Sequence, residues 1–242
     1  MLKEKFWSNY FKVYDILNLS IPYKELLNDV INEIENKNGI LLLDAGSGTG
    51  NLSIELKKLK IRVVSIDNSL SAIKIHKIKD PEANVKLHSL TSKLPFNDNS
   101  FDCIVCLLTL HVINVNERKG AIAEFFRILK SDGKLILANP YTNFSASRIF
   151  IEHIKKDFRK NGFFRLIKMF ILLTIPTIKI FYYNFVIDKT SKKSGHGKLN
   201  IDEQKNLLKE AGFINLEPTK ITYAKSVILD CGYKPRTLEL KS

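Results

Sequence analysis

The sequence has few cysteines and no apolar leader at its start. Cysteine occurs at only three positions, 103, 106 and 231, in a chain of 242 residues. A small, odd number of cysteines is poorly suited to a disulfide framework and favours a reducing compartment. The first residues, MLKEKFWSNYFKVYD, mix charges with aromatics and contain no apolar segment typical of a signal peptide. We therefore expect a cytoplasmic protein.

Two of the cysteines form a C-x-x-C motif, but the pattern around them excludes a redox or metal pair. Cys103 and Cys106 lie inside the apolar run CIVCLLTL, which is typical of a buried strand. Residues three apart on a strand point to opposite faces of the sheet. We expect two buried thiols and no metal site.

Positive charge is abundant and unevenly distributed. The net charge is +13, of which residues 1–140 carry +3 and residues 141–242 carry +10. Hydrophobic residues make up 45% of the chain and charged residues 26%, as in ordinary globular proteins. The length fits one α/β domain with an insertion. Any account of the charge must therefore concern the second half of the chain.

Short apolar runs alternate with helical patterns up to Pro140. ILLLDA, RVVSID, VKLHS, FDCIVCLLTL and KLILANP read as strands, separated by amphipathic segments such as ERKGAIAEFFRILK. This alternation predicts a parallel sheet with helices on both faces. Gly133 is expected to supply the turn after the last of these helices.

The alternation stops after Pro140 and resumes near residue 200. We predict N-terminal helices and a ligand-binding core at 1–140, a helical lid at 141–199, and a segment at 200–242 that completes the same sheet. Within the lid, ASRIFIEHIKKDFRK and FFRLIKMFILL read as helices, followed by IFYYNFVID and a polar loop, KTSKKSGHGK. The last segment reads as a helix and two strands, INLEPTKI and TYAKSVILD.

A glycine-rich turn, LLLDAGSGTG, joins the first predicted strand to a helix. Its spacing is neither the G-x-G-x-x-G dinucleotide fingerprint nor a P-loop, because Asn51 stands at the final glycine position and no Gly-Lys-Ser/Thr follows. Asp44 precedes the first glycine by two residues, and Asp67 ends the next strand. This arrangement suits a ligand with a cationic amine facing Asp44 and ribose hydroxyls facing Asp67.

With these motifs the sequence resembles the class I S-adenosylmethionine-dependent methyltransferases, in the small-molecule group called type 11. LLLDAGSGTG is similar to the first family motif, VVSIDNS to the second, and KLPFNDNSFDCIVCLLTLHVI and EFFRILKSDGKLILANP to two later blocks. The resemblance covers most of the chain outside 141–198. It implies a Rossmann-like, seven-stranded, mostly parallel sheet with the last strand antiparallel, and S-adenosylmethionine as cofactor.

The resemblance also implies a set of cofactor-binding residues. Asp67 would bind the ribose, and Asn68 would lie beside the adenine. The full expected set is Tyr14, Asp44, Gly46, Ser47, Gly48, Asp67, Asn68, Leu90, Thr91 and Leu107. Tyr14, with Tyr10, belongs to an N-terminal segment that resembles the part of the family covering the cofactor.

One position departs from the family pattern. Leu90 stands where the family commonly has an aspartate that binds the adenine amino group. Leucine offers no hydrogen bond, although the backbone amide of Thr91 remains available. Losing one hydrogen bond to a neutral partner costs about 1 kcal/mol, which predicts a weakened site rather than a lost one.

No catalytic residue stands out, since the cofactor supplies an activated methyl group and alignment can carry most of the rate. His111, after the fourth strand, is a candidate general base. Tyr141, in the Asn-Pro-Tyr sequence after the fifth strand, is a candidate pocket residue. We expect methyl transfer to a small, lipophilic acceptor at oxygen, nitrogen or carbon.

Two other functions stay open from the sequence. The charge suggests an RNA methyltransferase, but the basic half contains no recognisable RNA-binding module, so a nucleic-acid partner is disfavoured. Leu90 suggests a non-catalytic S-adenosylmethionine-binding protein. The lid is also basic and apolar, so we expect it to close over the substrate and to contact an anionic membrane peripherally, through Lys155, Lys156, Arg159, Lys160, Arg165 and Lys168.

Overall fold

A single seven-stranded sheet organises the chain. The computed structural model describes residues 4–35, 38–194 and 197–236. The strands run in the spatial order β3-β2-β1-β4-β5-β7-β6. They are β1 Leu41–Ala45, β2 Arg62–Asp67, β3 Val85–Leu87, β4 Phe101–Leu107, β5 Leu129–Pro140, β6 Lys220–Thr222 and β7 Val227–Tyr233. Among the strands of the described residues, only β7 runs antiparallel to both of its neighbours, β5 and β6, which confirms the fold expected from the sequence.

Helices pack on both faces of this sheet. They are α1 Glu4–Tyr14, α2 Ile21–Asn32, α3 Asn51–Lys58, α4 Leu70–Lys79, α5 Val115–Ile128, α6 Ala146–Ser194 and α7 Glu203–Glu210, with two short 3₁₀ helices at Asp15–Leu19 and Leu110–Val112. One core cluster joins α5 and α7 to the sheet, and a second joins α2 and α3 to it. Both faces of the central strands are therefore buried, which explains their continuous apolar sequences.

The two central cysteines illustrate this two-sided burial. Cys103 belongs to the core cluster on the α2 face and Cys106 to the cluster on the α5 face. Both are free thiols, as is Cys231. Burial raises the pKa of Cys103 and Cys106 to about 12. They are packing residues, as the strand periodicity indicated.

The strand order reverses beside β1, and this positions the site. β2 and β4 pair with opposite edges of β1, and all three strands are parallel. Their carboxyl ends therefore open a crevice at one edge of the sheet, where ligands bind in sheets of this kind.

The chain after α5 differs from the prediction. The helix ends at Ile128 and β5 begins directly at Leu129, so Asp132 and Gly133 lie inside β5, where its register with β4 shifts. Asp132, with φ 59°, and not Gly133, takes the left-handed conformation there. A Cβ at Gly133 would lie 2.7 Å from Leu129 Cγ and 2.8 Å from the Lys130 carbonyl oxygen. Glycine is needed there because neighbouring atoms approach closely.

The predicted lid region contains α6, which consists of two helical segments that meet at Gly162, where φ 75° and ψ −179° break the helical geometry. This break lies between the two predicted helices, ASRIFIEHIKKDFRK and FFRLIKMFILL. The prediction of a polar loop is wrong for 189–194, which continue the helix; its next two residues, 195–196, lie outside the described part. The boundaries of the lid at 141 and 199 stay a prediction.

The expectation of two full strands after α7 is only partly met. Of INLEPTKI, only the last two residues join β6, and Ile214 forms an isolated bridge with Tyr233. Pro218 lies between these two places, and its missing N–H cannot support a continuous ladder.

Candidate active site

The glycine-rich turn is tied to the end of the neighbouring strand. The amide nitrogens of Gly46 and Ser47 both donate to the carbonyl oxygen of Ile66, at 2.8 and 3.0 Å. The amide of Gly48 donates to Asp67 Oδ2 at 2.8 Å. The turn is therefore held in place by β2, and Asp67 is part of its support.

Two of the three glycines are required by the protein's own packing. Gly46 has φ 81°, and a Cβ there would lie 2.3 Å from the Thr109 side chain. Gly50 has φ 80°, and its Cβ would lie 2.1 Å from the ring of the buried His76. Both positions combine a left-handed φ with a close neighbour, so no other residue fits without rearrangement. Gly48 is different, since its Cβ would meet only Phe11, at 3.7 Å.

Two buried carboxylates flank this turn. Asp44, in β1, accepts a hydrogen bond from Ser53 Oγ at 2.5 Å. Burial, with a smaller effect of the Asp67 charge, raises the pKa of Asp44 to about 7. Asp67 Oδ1 accepts from the amide of Ser69 at 2.9 Å. A cationic group beside Asp44 would be stabilised by the carboxylate and would favour its ionised form.

The remaining residues expected around an adenosine line the same cavity. Asn68 is exposed at the end of β2, and Leu107 ends β4 with its side chain buried. Leu90 is buried and also packs in the core cluster on the α5 face. The amide of Thr91, which was expected to remain available, donates to Ser89 Oγ at 3.3 Å. A ligand would have to compete with Ser89 for that donor.

An aromatic cluster from α1 covers the mouth of the turn. Trp7, Tyr10, Phe11 and Tyr14 all line the cavity. Tyr10 and Tyr14 have ring centroids 5.3 Å apart, and Tyr10 also meets Tyr183 of α6 at 5.9 Å. The structure thus brings Tyr14 to the other predicted site residues and joins α1 to α6 above them.

The cavity between the sheet and these helices has a volume of about 570 Å³ and two chemically different ends. One end is formed by the glycine-rich turn and polar residues of β1, β2 and the loop after β3. The other end is largely apolar and is formed mainly by α6 and the segment before it, with Phe144, Ile149, Phe150, Ile180, Phe181 and Ile187; His153, Asn184 and Thr190 are the polar residues of α6 in the lining. The volume falls within the usual range for small-molecule sites.

His111 reaches the cavity, whereas Tyr141 does not line it. His111 Nδ1 is buried and has no hydrogen-bond partner in the described part of the chain. Burial, together with the charges of Arg118 and Lys198, lowers the pKa of His111 to about 3. Tyr141 is packed in the core, and its hydroxyl donates to the Lys225 carbonyl oxygen at 3.4 Å.

Asn139 positions the segment that carries His111. Its side-chain oxygen accepts from the amides of Thr109 and Leu110, at 2.9 and 2.8 Å. Its side-chain nitrogen donates to Gln204 Oε1 at 2.9 Å. The Asn-Pro-Tyr sequence therefore supports the site through its asparagine, not through its tyrosine.

Several lining residues were not found from the sequence. His153 of α6 is buried beside the cavity, and its Nδ1 accepts from the amide of Ile21 at 3.4 Å. Tyr23 and Tyr223 also line the cavity, with ring centroids 6.1 Å apart. The spacing of Ile149 and His153, four residues apart on one helical face, was the available signal. The tyrosines meet only through tertiary packing.

The polar end fits S-adenosylmethionine on the structure's own geometry. Ser47 Oγ is buried at the turn without a hydrogen-bond partner among the described residues. Gly48 leaves backbone open toward the cavity, and both carboxylates lie at adjacent strand ends. These groups match the amine and hydroxyl donors of that cofactor. The aromatic rings above them suit a sulfonium cation.

Several known proteins are similar to this chain. The family described as methyltransferase domain matches residues 43–137. A demethylmenaquinone methyltransferase of Renibacterium salmoninarum is 35% identical over 131 residues, or 52% of this chain and 53% of that protein. The chain thus aligns with about half the length of this relative. A ubiquinone/menaquinone biosynthesis C-methyltransferase of Vibrio cholerae is 26% identical over 206 residues, or 81% of this chain and 72% of that protein.

A solved structure shares the fold. A methyltransferase of Thermotoga maritima, described as a possible histamine N-methyltransferase, superposes with a TM-score of 0.63 at 18% identity, covering 96% of this chain and all of that one. The family match spans the glycine-rich turn, both acidic strand ends and β4 and β5 up to residue 137. Residues 43–137 therefore form a class I S-adenosylmethionine-dependent methyltransferase domain, and S-adenosylmethionine is the cofactor that this family implies for the polar end.

Proposed function

We propose that the protein transfers a methyl group from S-adenosylmethionine to a small, lipophilic acceptor, in the cytoplasm. The observation that carries the proposal is the cavity with one polar and one apolar end. The polar end accounts for the cofactor. The apolar end, formed mainly by α6 and the segment before it, leaves space for an acceptor whose body is hydrophobic.

The chain's residues would act mainly by holding and aligning the two molecules. Asp67 and the glycine-rich turn would bind the ribose, and Asp44 would bind the amine. Leu107 would line the cavity between these two groups. The bound cofactor supplies an activated methyl group, so proximity and alignment can contribute about 7–11 kcal/mol to lowering the barrier. The aromatic rings of α1 would exclude water from above.

His111 is proposed to orient the acceptor. With its pKa lowered to about 3, the imidazole is neutral at physiological pH. Nδ1 is buried, so a rotation of the ring would have to turn a neutral ring nitrogen toward the cavity, where it could accept a hydrogen bond from an acceptor hydroxyl or amine and direct its lone pair. So low a pKa makes His111 a weak base, and orientation is the role that its environment supports.

The names of the relatives favour a quinone-like acceptor. Two of them are named for methylation of demethylmenaquinone or of ubiquinone and menaquinone precursors. Such molecules combine a ring with a long apolar chain, and the residues of α6 offer an apolar surface of that kind. We therefore propose a ring-bearing lipid as the acceptor class.

Incubation with methyl-labelled S-adenosylmethionine tests the proposal. Demethylmenaquinone, a plain phenol, histamine and transfer RNA would be offered separately, with His111→Ala and Asp67→Ala as controls. We expect label in the quinone, a loss of about tenfold or more for His111→Ala because the acceptor is misaligned, and little label in RNA. Label in RNA would instead support an RNA methyltransferase. Cofactor binding without label in any acceptor or cell extract would support a non-catalytic binding protein.

A further inference from the structure

The second half of α6 exposes a row of large apolar side chains. Ile175, Ile178, Tyr182 and Phe185 are between 61% and 66% exposed. At about 100° per residue, the four lie within about 80° of one another around the helix. Ile180 and Ile187, on the opposite side, are each only 8% exposed and line the cavity. The helix therefore has an apolar outer face in addition to its cavity-lining face.

Positive charge accompanies this face. α6 contains eleven Lys and Arg and three Asp and Glu, so it carries +8 of the chain's net +13. Lys179 and Lys189 are exposed and lie on the same side as the apolar row. The α6 outer face is defined here by Ile175, Ile178, Lys179, Tyr182, Phe185 and Lys189.

We propose that the α6 outer face docks on an anionic lipid bilayer. The apolar side chains would enter the boundary between head groups and acyl chains, and the lysines would meet anionic head groups, as in interfacial amphipathic helices. None of the described helices combines the length and apolar character that crossing a bilayer requires. The helix would lie in the plane of the surface.

The charge of α6 points to a lipid surface as the occupant. An anionic bilayer can interact with both features, because its head groups attract the positive charge of α6 and its acyl chains accommodate the apolar row. Lys156, in the first half of α6, was also expected to contact a membrane, but it forms ion pairs with Glu25 and Glu152 and is not part of the α6 outer face. Arg165 and Lys168, also expected to contact a membrane, have side chains outside the described part.

Docking would place the acceptor's source beside the cavity. The outer face and the cavity-lining residues Ile180 and Ile187 lie on opposite sides of the same stretch of α6. A lipid that leaves the bilayer would therefore move about one helix diameter to reach the apolar end of the cavity. This part rests on the proposed function. The docking itself does not, because vesicle binding is measured without cofactor or acceptor.

Co-sedimentation of the full chain with vesicles tests the docking. Phosphatidylcholine vesicles would be compared with equal mixtures of phosphatidylcholine and phosphatidylglycerol, at about 0.05 M and about 0.5 M salt. We expect pelleting with the anionic vesicles at low salt, and a partition coefficient at least about tenfold lower with neutral vesicles or at high salt. No pelleting with anionic vesicles at low salt would overturn the proposal.

Two matched pairs of variants locate the contact. Ile178→Glu with Phe185→Glu should reduce anionic-vesicle binding at least about tenfold, whereas Ile78→Glu with Leu87→Glu, also at exposed positions, should leave it within about twofold. Lys179→Glu with Lys189→Glu should weaken binding more than Lys77→Glu with Lys209→Glu, which changes the net charge equally. Equal losses within either pair would show that bulk hydrophobicity or bulk charge, and not the α6 outer face, drives binding.

Calorimetric binding of S-adenosylmethionine to each variant separates the two proposals. Unchanged cofactor affinity with lost vesicle binding supports the docking face. Vesicle binding that persists in all variants overturns it, whatever the methyl-transfer assay shows.

Discussion

Asp67 is the single residue on which the polar end of the site depends most. It supports the turn through Gly48 and is proposed to bind the ribose hydroxyls. We predict that Asp67→Ala weakens S-adenosylmethionine binding about a hundredfold or more, since two charge-assisted hydrogen bonds of about 1.5–3 kcal/mol each are lost. Titration calorimetry measures this, with circular dichroism to show that the variant is folded. Binding as tight as in the parent would contradict the assignment of Asp67.

Asp44 predicts a pH dependence of cofactor affinity. Its pKa is raised to about 7 in the free protein, so a proton must leave before the carboxylate can pair with an ammonium group. Affinity should therefore fall as pH decreases from about 7 to about 5, by up to tenfold per pH unit. Asp44→Asn removes this titration and should show a flatter profile. Identical slopes in the two proteins would exclude Asp44 as the cause.

Leu90 tests the missing adenine contact. We predict that Leu90→Asp tightens S-adenosylmethionine binding several-fold, because one hydrogen bond of about 1 kcal/mol is gained. The same change should lower the melting temperature, since Leu90 is buried in the core cluster. The two readouts are separable by calorimetry and thermal unfolding. A dissociation constant that is unchanged or higher than that of the parent would count against aligning Leu90 with the family aspartate.

The acidic and glycine residues of the site were predictable. The acids follow from the ends of predicted strands, and the glycines follow from a turn whose backbone approaches other atoms closely. Asp44, Gly46 and Asp67 lie where a parallel sheet must bring its carboxyl ends together. The spacing of His153 and Ile149 places them on one helical face, but the sequence does not show that this face packs over the cavity, so His153 was missed. The exclusion of Tyr141 likewise needed tertiary contacts, since its hydroxyl bonds to a residue 84 positions away.

At the scale of elements, the glycine-rich turn predicts a contrast between two glycines. Gly39 and Gly46 have nearly the same φ, 78° and 81°, but among the described residues only Gly46 has a side chain within 4 Å of the missing Cβ. Gly39→Ala should cost about 1 kcal/mol of unfolding free energy from backbone strain alone. Gly46→Ala should cost about 1–3 kcal/mol more through overlap with Thr109. Urea unfolding compares them, and equal losses would refute the close-approach explanation.

The same scale shows where periodicity succeeds and fails. Continuous apolar runs identified β1, β2, β4 and β5 because strands buried on both faces read that way. The break of α6 at Gly162 follows the predicted division, but the second segment was ended too early, because its last residues, KTSKKS, are polar like a loop and the helix continues through them nonetheless. Pattern analysis cannot distinguish a solvated helix end from a polar loop, since neither buries an apolar face.

At the scale of the whole molecule, the sheet, α1 and α6 meet around one cavity. Cofactor binding should therefore change the surroundings of residues in α1 as well as those of the sheet. Trp7 is the only tryptophan of the chain, and its ring stacks on Phe11, with centroids 5.9 Å apart, at the cavity wall. We predict that S-adenosylmethionine changes the tryptophan emission and raises the melting temperature, and that titrations of the two signals give the same dissociation constant. At about 100 times that constant the stabilisation is about 2.7 kcal/mol, or about 5–10 °C for a chain of this size.

Trp7→Phe is the control for this prediction, because it removes the emission and keeps an aromatic ring against Phe11. The variant should retain most of the thermal shift, which would show that the tryptophan reports on binding without being essential to it. A thermal shift in the parent without any emission change would mean that α1 does not sense the ligand. The aromatic cluster of α1 would then be packing alone, and the cover over the polar end would have to come from α6.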